Sequence, residues 1–327
     1  MNAVERSQAS FQRRATTATP RASVVVTVYR DMRFLDAAVS SVLNQRFADF
    51  ELIVVDDGNA DADAFARLLR RDPRIRLVTC PTNLGTAAAA NRGIEVARSG
   101  IVVRLDADDL CEPQRVGRLV AALERDPMLG LVGSDVRLID EGGAPSRVVR
   151  MPRSDLEVRW TILFHNPFYH SATAFRRQLW EAAGGYRSEE LVSQDHYLWF
   201  DLLPLCRARN LPEPLTLYRL NSQGLMARNR VRPRDRTHAI RRTLWAELGL
   251  AYDLYDDSLA RDVSRFLRGR AIAPERRGPA YELLNRVLAA FLAGPLARRD
   301  ARAVAEGERL REAIEARMAA APARTMA

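Results

Sequence analysis

An α/β fold, a doubly wound and mostly parallel sheet with a helical appendage at its C-terminal end, is predicted by three features of this 327-residue sequence. Short β-branched runs that stop abruptly at polar residues alternate with segments whose apolar residues recur at helical spacing. Aspartate clusters fall directly after two of those runs, at the carboxyl edge where an open parallel sheet collects its ligands. Beyond Arg228 the composition changes to alanine, leucine and arginine at helical periods.

Ser23 to Tyr29 (SVVVTVY) and Phe50 to Val55 (FELIVV) read as buried strands. Between them Leu35, Ala38, Val39, Val42 and Leu43 lie on one helical face, so the first unit is strand, helix, strand with the default right-handed crossover. The alternation continues with a helix over Ala62 to Arg70, a strand over Ile75 to Thr79, a helix over Thr86 to Ala97 and a strand over Ile101 to Leu105. A helix over Pro113 to Arg125 and a strand over Leu129 to Gly133 follow, then an irregular stretch through Pro152. The domain reading is a loose tail over 1–20, an α/β domain over 21–227 and helices over 228–327, interrupted at Pro274, Pro279 and Pro295.

Hydrophobic residues make up 47% of the chain, enough for a globular core rather than a disordered polymer. The tail is polar and has no apolar run of signal-peptide kind. No stretch approaches the roughly 18 apolar residues of a membrane span, so the expected location is cytoplasmic, with peripheral attachment to the inner face of the membrane left open. Cys80, Cys111 and Cys206 match neither a disulfide framework nor a paired metal spacing and read as buried free thiols. The net charge of +9 is carried by arginine alone, since the chain has no lysine. Such a surface attracts anionic headgroups, diphosphates or nucleic acid.

Asp56 and Asp57 follow a strand and precede Gly58 and Asn59, which is also sound turn chemistry in its own right. Asp106, Asp108 and Asp109 crowd three carboxylates into four positions at the end of another strand. One aspartate suffices to cap the next helix; three together repel one another, and a divalent cation relieves that repulsion. Hard oxygen ligands suit Mg2+ or Mn2+, which keep coordination positions open for phosphate. Asp195 either caps the helix it opens or serves as a general base, which requires a carboxylate within hydrogen-bond reach of an attacking hydroxyl.

Taken in order, SVVVTVY, SVLNQRFADFELIVVDDG, Asn83-Leu84-Gly85, Asn91-Arg92-Gly93-Ile94, LDADD, HNPFYHSATAFRR, GGYR and QDHYLW resemble the family-2 glycosyltransferases, enzymes of the GT-A fold that use nucleotide-diphospho-sugars. The resemblance runs from Ser23 to about Arg219. It implies that Thr27 and Tyr29 line a nucleobase pocket, that Asp57 bonds a uracil imide with Asp56 in support, and that Asn83, Gly85 and Asn91 close over the nucleotide. By the same resemblance Asp106 approaches the ribose or donor sugar, Asp108 is the leading metal ligand with Asp106 and Asp109 as further ones, and Asp195 is the base. His170, Gly185, Tyr186, His196 and Trp199 then line the acceptor and donor-sugar side, with core packing as their alternative. The sequence departs from the family pattern at Asn59, where serine is common, at Gln194 in place of glutamate, and at Ala90 in place of arginine.

The implied activity is inverting, metal-dependent transfer from a nucleotide diphosphate, UDP by family weight, to a hydroxyl of a cell-surface glycan or lipid-linked oligosaccharide. A polyprenyl-phosphate acceptor, a basic nucleic-acid-binding protein and a catalytically silent scaffold are the alternatives. The apolar stripe Leu283, Leu284, Val287, Leu288, Phe291 and Leu292 is expected to dock on an anionic membrane, on a second copy, or on the catalytic domain.

Overall fold

The computed structural model describes residues 10–12, 19–59, 61–189, 193–224, 234–251, 254–294 and 301–320. The chain divides into two compact units, Met1–Arg153 with Phe168–Arg232, and Ser154–Pro167 with Pro233–Ala327.

The first unit is built on ten strands: β1 (Ser10–Gln12), β2 (Ala22–Val28), β3 (Phe50–Asp56), β4 (Ile75–Thr79), β5 (Ile101–Asp106), β6 (Leu110–Cys111), β7 (Leu129–Ile139), β8 (Pro145–Val149), β9 (Ala174–Arg176) and β10 (Arg207–Arg219). Their order is β1-β4-β3-β2-β5-β9-β7-β10-β6, with β8 also pairing β7. The segment β4-β3-β2-β5 is parallel, as is β7 beside β10, and the other pairings are antiparallel. Helices α1 (Leu35–Leu43), α2 (Ala62–Leu69), α3 (Thr86–Glu95) and α4 (Arg115–Arg125) connect the strands; α5 (Asp155–Ile162) belongs to the second unit; α6 (Arg177–Ala182) and α7 (Gln194–Leu202) complete the first.

Strand residues alternate between two buried faces. Val24, Val26, Leu52, Val54, Val103 and Leu105 point into a core shared with Val39, Val42, Val116 and Leu119 of α1 and α4. Each such side chain contributes about 1.5–3 kcal/mol on burial. The opposite face, carrying Val25, Ile53 and Val55, packs so tightly on α3 that a Cβ at Gly93 would lie 2.6 Å from Val25 Cγ1.

Several expectations change. The loose tail supplies β1, which covers the edge of β4 in antiparallel register and satisfies backbone groups that would otherwise face solvent; residues 1–9 and 13–18 lie outside those described. The strand expected at Leu129 to Gly133 continues to Ile139, and β8 folds back onto it through an Asp140 turn in which Ala144 N donates to Asp140 Oδ1 at 2.8 Å. Charged residues on this hairpin hid it from a hydrophobic reading.

The second unit holds α5, α8 (Arg234–Glu247), α9 (Leu254–Leu267), α10 (Pro274–Ala293) and α11 (Ala301–Ala320). Residues 154–167 fall inside the range expected for the first domain, yet they pack with the C-terminal helices. A Ser154/Glu157 capping box starts α5. Trp160 meets Phe164 at 5.0 Å and Phe291 at 5.4 Å between ring centroids. Buried Arg241 bonds Asp257 at 2.6 Å and the carbonyl of Phe164 at 2.9 Å. The stripe expected to dock elsewhere is consumed here: Leu283, Leu284, Val287, Leu288 and Phe291 are buried and Leu292 half-buried. Pro274 opens this helix at its first position, and Pro279 lies inside it without ending it. Arg228 and Pro295 lie outside the described residues. Cys80 and Cys111 are buried, Cys206 is half-buried, and all three are free thiols. Among the described residues no helix is long and apolar enough to cross a membrane.

Candidate active site

The register of the parallel strands brings the predicted polar residues to one edge. Thr27 on β2 pairs with Asp106 on β5, and Val28 pairs with Asp56 on β3, so three strands end level. Asp56 Oδ1 accepts from both the backbone N and Nδ2 of Asn59 at 2.8 Å, and Asn59 Oδ1 accepts from Arg30 N at 2.6 Å. Asn59, a departure from the family pattern, therefore staples the ends of β2 and β3 and holds Arg30 at φ 60. Tyr29 beside it is 38% exposed, with the Arg30 guanidinium 4.9 Å from its ring.

Asp57 turns away from Asp56 toward the 83–85 loop. Its carboxylate accepts from Leu84 N at 2.7 Å, Gly85 N at 3.1 Å and Asn83 Nδ2 at 2.7 Å. Burial pushes its carboxyl up; the Leu84 and Gly85 N–H groups oppose this and Asp56 adds to it. Gly58 is required here: at φ +83, a Cβ would stand 2.6 Å from Asn83 N.

The second cluster divides into unlike parts. Asp106 N donates to Ser171 Oγ at 2.9 Å, leaving its half-buried carboxylate at the strand edge. Burial alone would raise that carboxyl, but the His170 ring and the Arg104 and Arg115 guanidinium groups outweigh it and hold it at about 2. Asp108 Oδ2 accepts from Asn221 Nδ2 at 3.0 Å, and the same amide donates to Asp31 Oδ2 at 3.1 Å. Burial raises Asp108, Asn221 opposes the rise, and the charges of Asp106 and Asp31 add to it. Asp109 instead points inward: it is 1% exposed, and Oδ1 accepts from Arg219 N at 2.7 Å. Burial, then Asp108 and Asp106, push it well above the usual carboxylate range. In this orientation Asp109 braces the turn through Arg219 and presents no exposed carboxylate at the strand edge.

Sequence reasoning missed the cation beneath this edge. Arg104, two residues before Asp106 and therefore on the same strand face, is fully buried. It donates to Val25 O at 2.5 Å, Thr27 Oγ1 at 3.4 Å, Asp106 Oδ1 at 3.4 Å and His170 Nε2 at 3.2 Å. Arg115, also fully buried, donates to the carbonyls of Arg104 at 2.6 Å and Ser171 at 2.7 Å. A strand-end arginine followed by Leu-Asp was the available signal, hidden among fifty arginines.

His170 reaches Tyr186 Oη at 2.8 Å, and its Nδ1 lies 3.4 Å from Asp106 Oδ1. Asp195 is half-buried in the first turn of α7, preceded by Ser193 at φ 63. Burial pushes the Tyr186 phenol up, Arg104 opposes it, and the charges of Asp195 and Asp106 add to it. Arg187 locks that turn to α7 through Asp201 at 2.7 Å and the Tyr197 ring at 4.8 Å.

Four residues expected to touch substrate, Trp199, His196, Asn91 and Gly185, are seen here in packing, turn and backbone contacts. Trp199 is 0% exposed and packs on Phe168 at 5.6 Å and His170 at 6.4 Å, so it is core beneath the site. His196 is 2% exposed. Asn91 spends its amide on the backbone of Tyr186, while Gly185 at φ +81 carries the turn with a virtual Cβ 3.0 Å from Asn91 Oδ1.

Among the described residues no group of three or more His, Cys, Asp or Glu side chains is arranged to hold a metal unaided. Asp106 and Asp108 are carboxylates, the hard-oxygen type of side chain that Mg2+ and Mn2+ accept.

Residues 23–182 match the glycosyl transferase family 2 description. The amylovoran biosynthesis glycosyltransferase AmsE of Erwinia amylovora is 30% identical over 205 residues, which is 61% of this chain and 76% of that protein. The chain spans 66%, 76% and 80% of the lengths of three curated relatives. Among solved structures, Staphylococcus aureus TarS 1–349 in complex with UDP-GlcNAc has a TM-score of 0.58 at 16% identity, covering 83% of this chain and 81% of that one. The mannosyltransferase PcManGT of Pyrobaculum calidifontis, in complex with GDP-Man and Mn2+, has a TM-score of 0.51 at 20% identity, covering 93% and 86%. These two share the chain's fold, the GT-A fold. With a relative this similar over three quarters of its length, the chain belongs to glycosyl transferase family 2.

Proposed function

We propose that residues 21–227 transfer a sugar from a nucleotide diphosphate, with UDP as the nucleotide, to a hydroxyl of a cell-surface glycan or lipid-linked oligosaccharide, inverting the anomeric centre and using Mn2+ or Mg2+. The single observation carrying this reading is that β2, β3 and β5 end level, which brings Thr27, Asp56 and Asp106 to one edge of the sheet. Asp195 takes the proton of the acceptor hydroxyl as its oxygen attacks from the face opposite the diphosphate. Asp106 and Asp108 would hold the cation, which when bound supplies Lewis-acid stabilisation of the departing diphosphate. Thr27 and the exposed face of Tyr29 form the base platform, and Asn83 and Gly85 the loop over the nucleotide.

The choice of uracil has support in the acceptor arithmetic of Asp57. A carboxylate offers about four lone pairs, and the loop uses three here. The remaining one suits the single imide N–H of uracil better than the paired donors of guanine. The AmsE name supports a role in polysaccharide biosynthesis, and the TarS complex supports UDP. A cytoplasmic site, peripheral to the membrane, suits such acceptors.

The test is to screen UDP-N-acetylglucosamine, UDP-glucose, UDP-galactose and GDP-mannose for manganese-dependent nucleotide release and thermal stabilisation. UDP-sugars should be hydrolysed and stabilising. If no nucleotide sugar binds or reacts with either cation, the reading fails. Phase partition of radiolabelled product separates glycan from polyprenyl-phosphate acceptors.

A further inference from the structure

A fully buried guanidinium needs compensation, because removing a charge from water is costly unless it is paired and hydrogen-bonded. The partners of Arg104 are distributed across the reaction edge. Nη2 faces Thr27 Oγ1 and Asp106 Oδ1, each at 3.4 Å, whereas Nε donates to His170 Nε2 at 3.2 Å. An arginine Nε–H can only donate, so His170 Nε2 presents its lone pair. The imidazole proton then resides on Nδ1, which lies 3.4 Å from Asp106 Oδ1.

The same Nε2 is 2.8 Å from Tyr186 Oη. Tyr186 is 2% exposed and fixed by its neighbours: the Asn91 amide holds its backbone, and Arg187 is bonded to Asp201 of α7. Trp199, four residues along that helix from Asp195, packs its ring 6.4 Å from His170. Contacts thus link Asp106 at the end of β5 through His170 to Tyr186, and both His170 and Arg187 to α7 at Trp199 and Asp201. Electrostatically, the Tyr186 phenol senses Arg104, Asp195 and Asp106 together, with burial as the largest influence.

Resting on the function proposed above, we propose that Arg104 is a positioning residue of the transfer reaction. It fixes His170 with its proton on Nδ1, and through His170 and the Tyr186 hydroxyl it sets the spacing of Asp106 on the donor side from Asp195 on the acceptor side. The planar fork is needed, since three directions of donation are used at once and a lysine ammonium cannot reproduce them.

Imidazole-labelled protein examined by 1H–15N correlation, with the His170 signal assigned by His170→Gln, reads the tautomer without any substrate. The expected result is a proton on Nδ1 in the unaltered chain and in Tyr186→Phe, and loss of that fixed tautomer in Arg104→Gln. A proton on Nε2 in the unaltered chain overturns the proposal. Kinetics with the nucleotide sugar hydrolysed fastest in the screen above supply the second readout. Tyr186→Phe, which removes only a hydroxyl, should lower kcat about 10- to 100-fold with donor KM unchanged, the loss typical of an outer hydrogen-bond partner. Arg104→Gln should raise KM as well, and the double variant should lose no more kcat than Arg104→Gln alone. Unchanged kcat in Tyr186→Phe, or losses that multiply, overturns it. If Arg104→Gln does not fold, the tautomer and Tyr186→Phe still decide. Full activity in Asp195→Asn sinks the base assignment instead and leaves the tautomer result standing.

Discussion

The side-chain amide of Asn91 brackets the backbone of Tyr186: Oδ1 accepts from Tyr186 N at 2.9 Å and Nδ2 donates to Tyr186 O at 2.8 Å. The third contact, Trp180 Nε1 donating to Asn91 Oδ1 at 3.3 Å, closes the clamp on the Gly184-Gly185 turn. Asn91→Ala leaves both backbone groups without these partners. It should cost about 1–3 kcal/mol of stability in chemical denaturation, with a fall in kcat as Tyr186 loosens. Asn91→Asp should remain impaired, because a carboxylate then faces the Tyr186 carbonyl. Unaltered stability in both variants would remove Asn91 from this role.

Gly58 sets the Asp57 carboxylate against the 83–85 loop. Because a Cβ there meets backbone atoms at 2.6 Å with φ +83, Gly58→Ala must shift the loop. The expected outcome is weaker nucleotide binding by calorimetry, alongside a stability loss of about 1–3 kcal/mol from the strained conformation. Retained affinity would show that the loop does not cover the nucleotide.

Buried Glu51 accepts from Ser23 Oγ at 2.6 Å and Arg98 N at 2.7 Å and is paired with Arg76. Burial alone would raise its carboxyl, but Ser23, Arg98 and Arg76 outweigh it and leave the folded-state value lowered. That contribution is complete above the unfolded carboxyl range, about 4.3, and is lost as pH falls through the lower folded value. Denaturation midpoints should therefore drop on acidification below about pH 4, and Glu51→Gln should flatten that limb while lowering stability at neutral pH. An equally steep limb in the variant would assign it to other carboxylates.

In the C-terminal unit, Arg241 and Asp257 form a buried pair at 2.6 Å that also involves Arg261. Asp257→Ala should destabilise this unit by about 3–5 kcal/mol, the cost of an uncompensated buried charge, whereas Arg241→Met with Asp257→Leu should recover much of it. Hydrogen exchange across α8 and α9 distinguishes loss within this unit from global unfolding.

The strand-and-helix alternation was legible because Val24 to Val26, Leu52 to Val55 and Val102 to Val103 are buried by hydrophobicity alone. The edge carboxylates were legible because aspartate directly after a buried run has few reasons to be there. Arginine is where reading failed. In a chain with fifty Lys and Arg residues and a charge of +9, nothing local separates buried Arg104, Arg115 and Arg219 from solvated ones. Their value comes from carbonyls and carboxylates contributed by remote segments. The burial of Asp109 and Trp199 was hidden for a related reason: the motif fixes their spacing, but the turn after β5 and the face of α7 decide which way each side chain points. Residues 154–167 joined the C-terminal helices because Trp160 and Phe164 find their ring partners there.

The central claim is that Asp195 is the base of the transfer, and Asp195→Asn with donor binding measured alongside turnover tests it most directly. Turnover should fall by about 10²- to 10⁴-fold while the dissociation constant for the nucleotide sugar stays at its original value. Turnover near the original rate, or an equal loss in donor affinity, would contradict it.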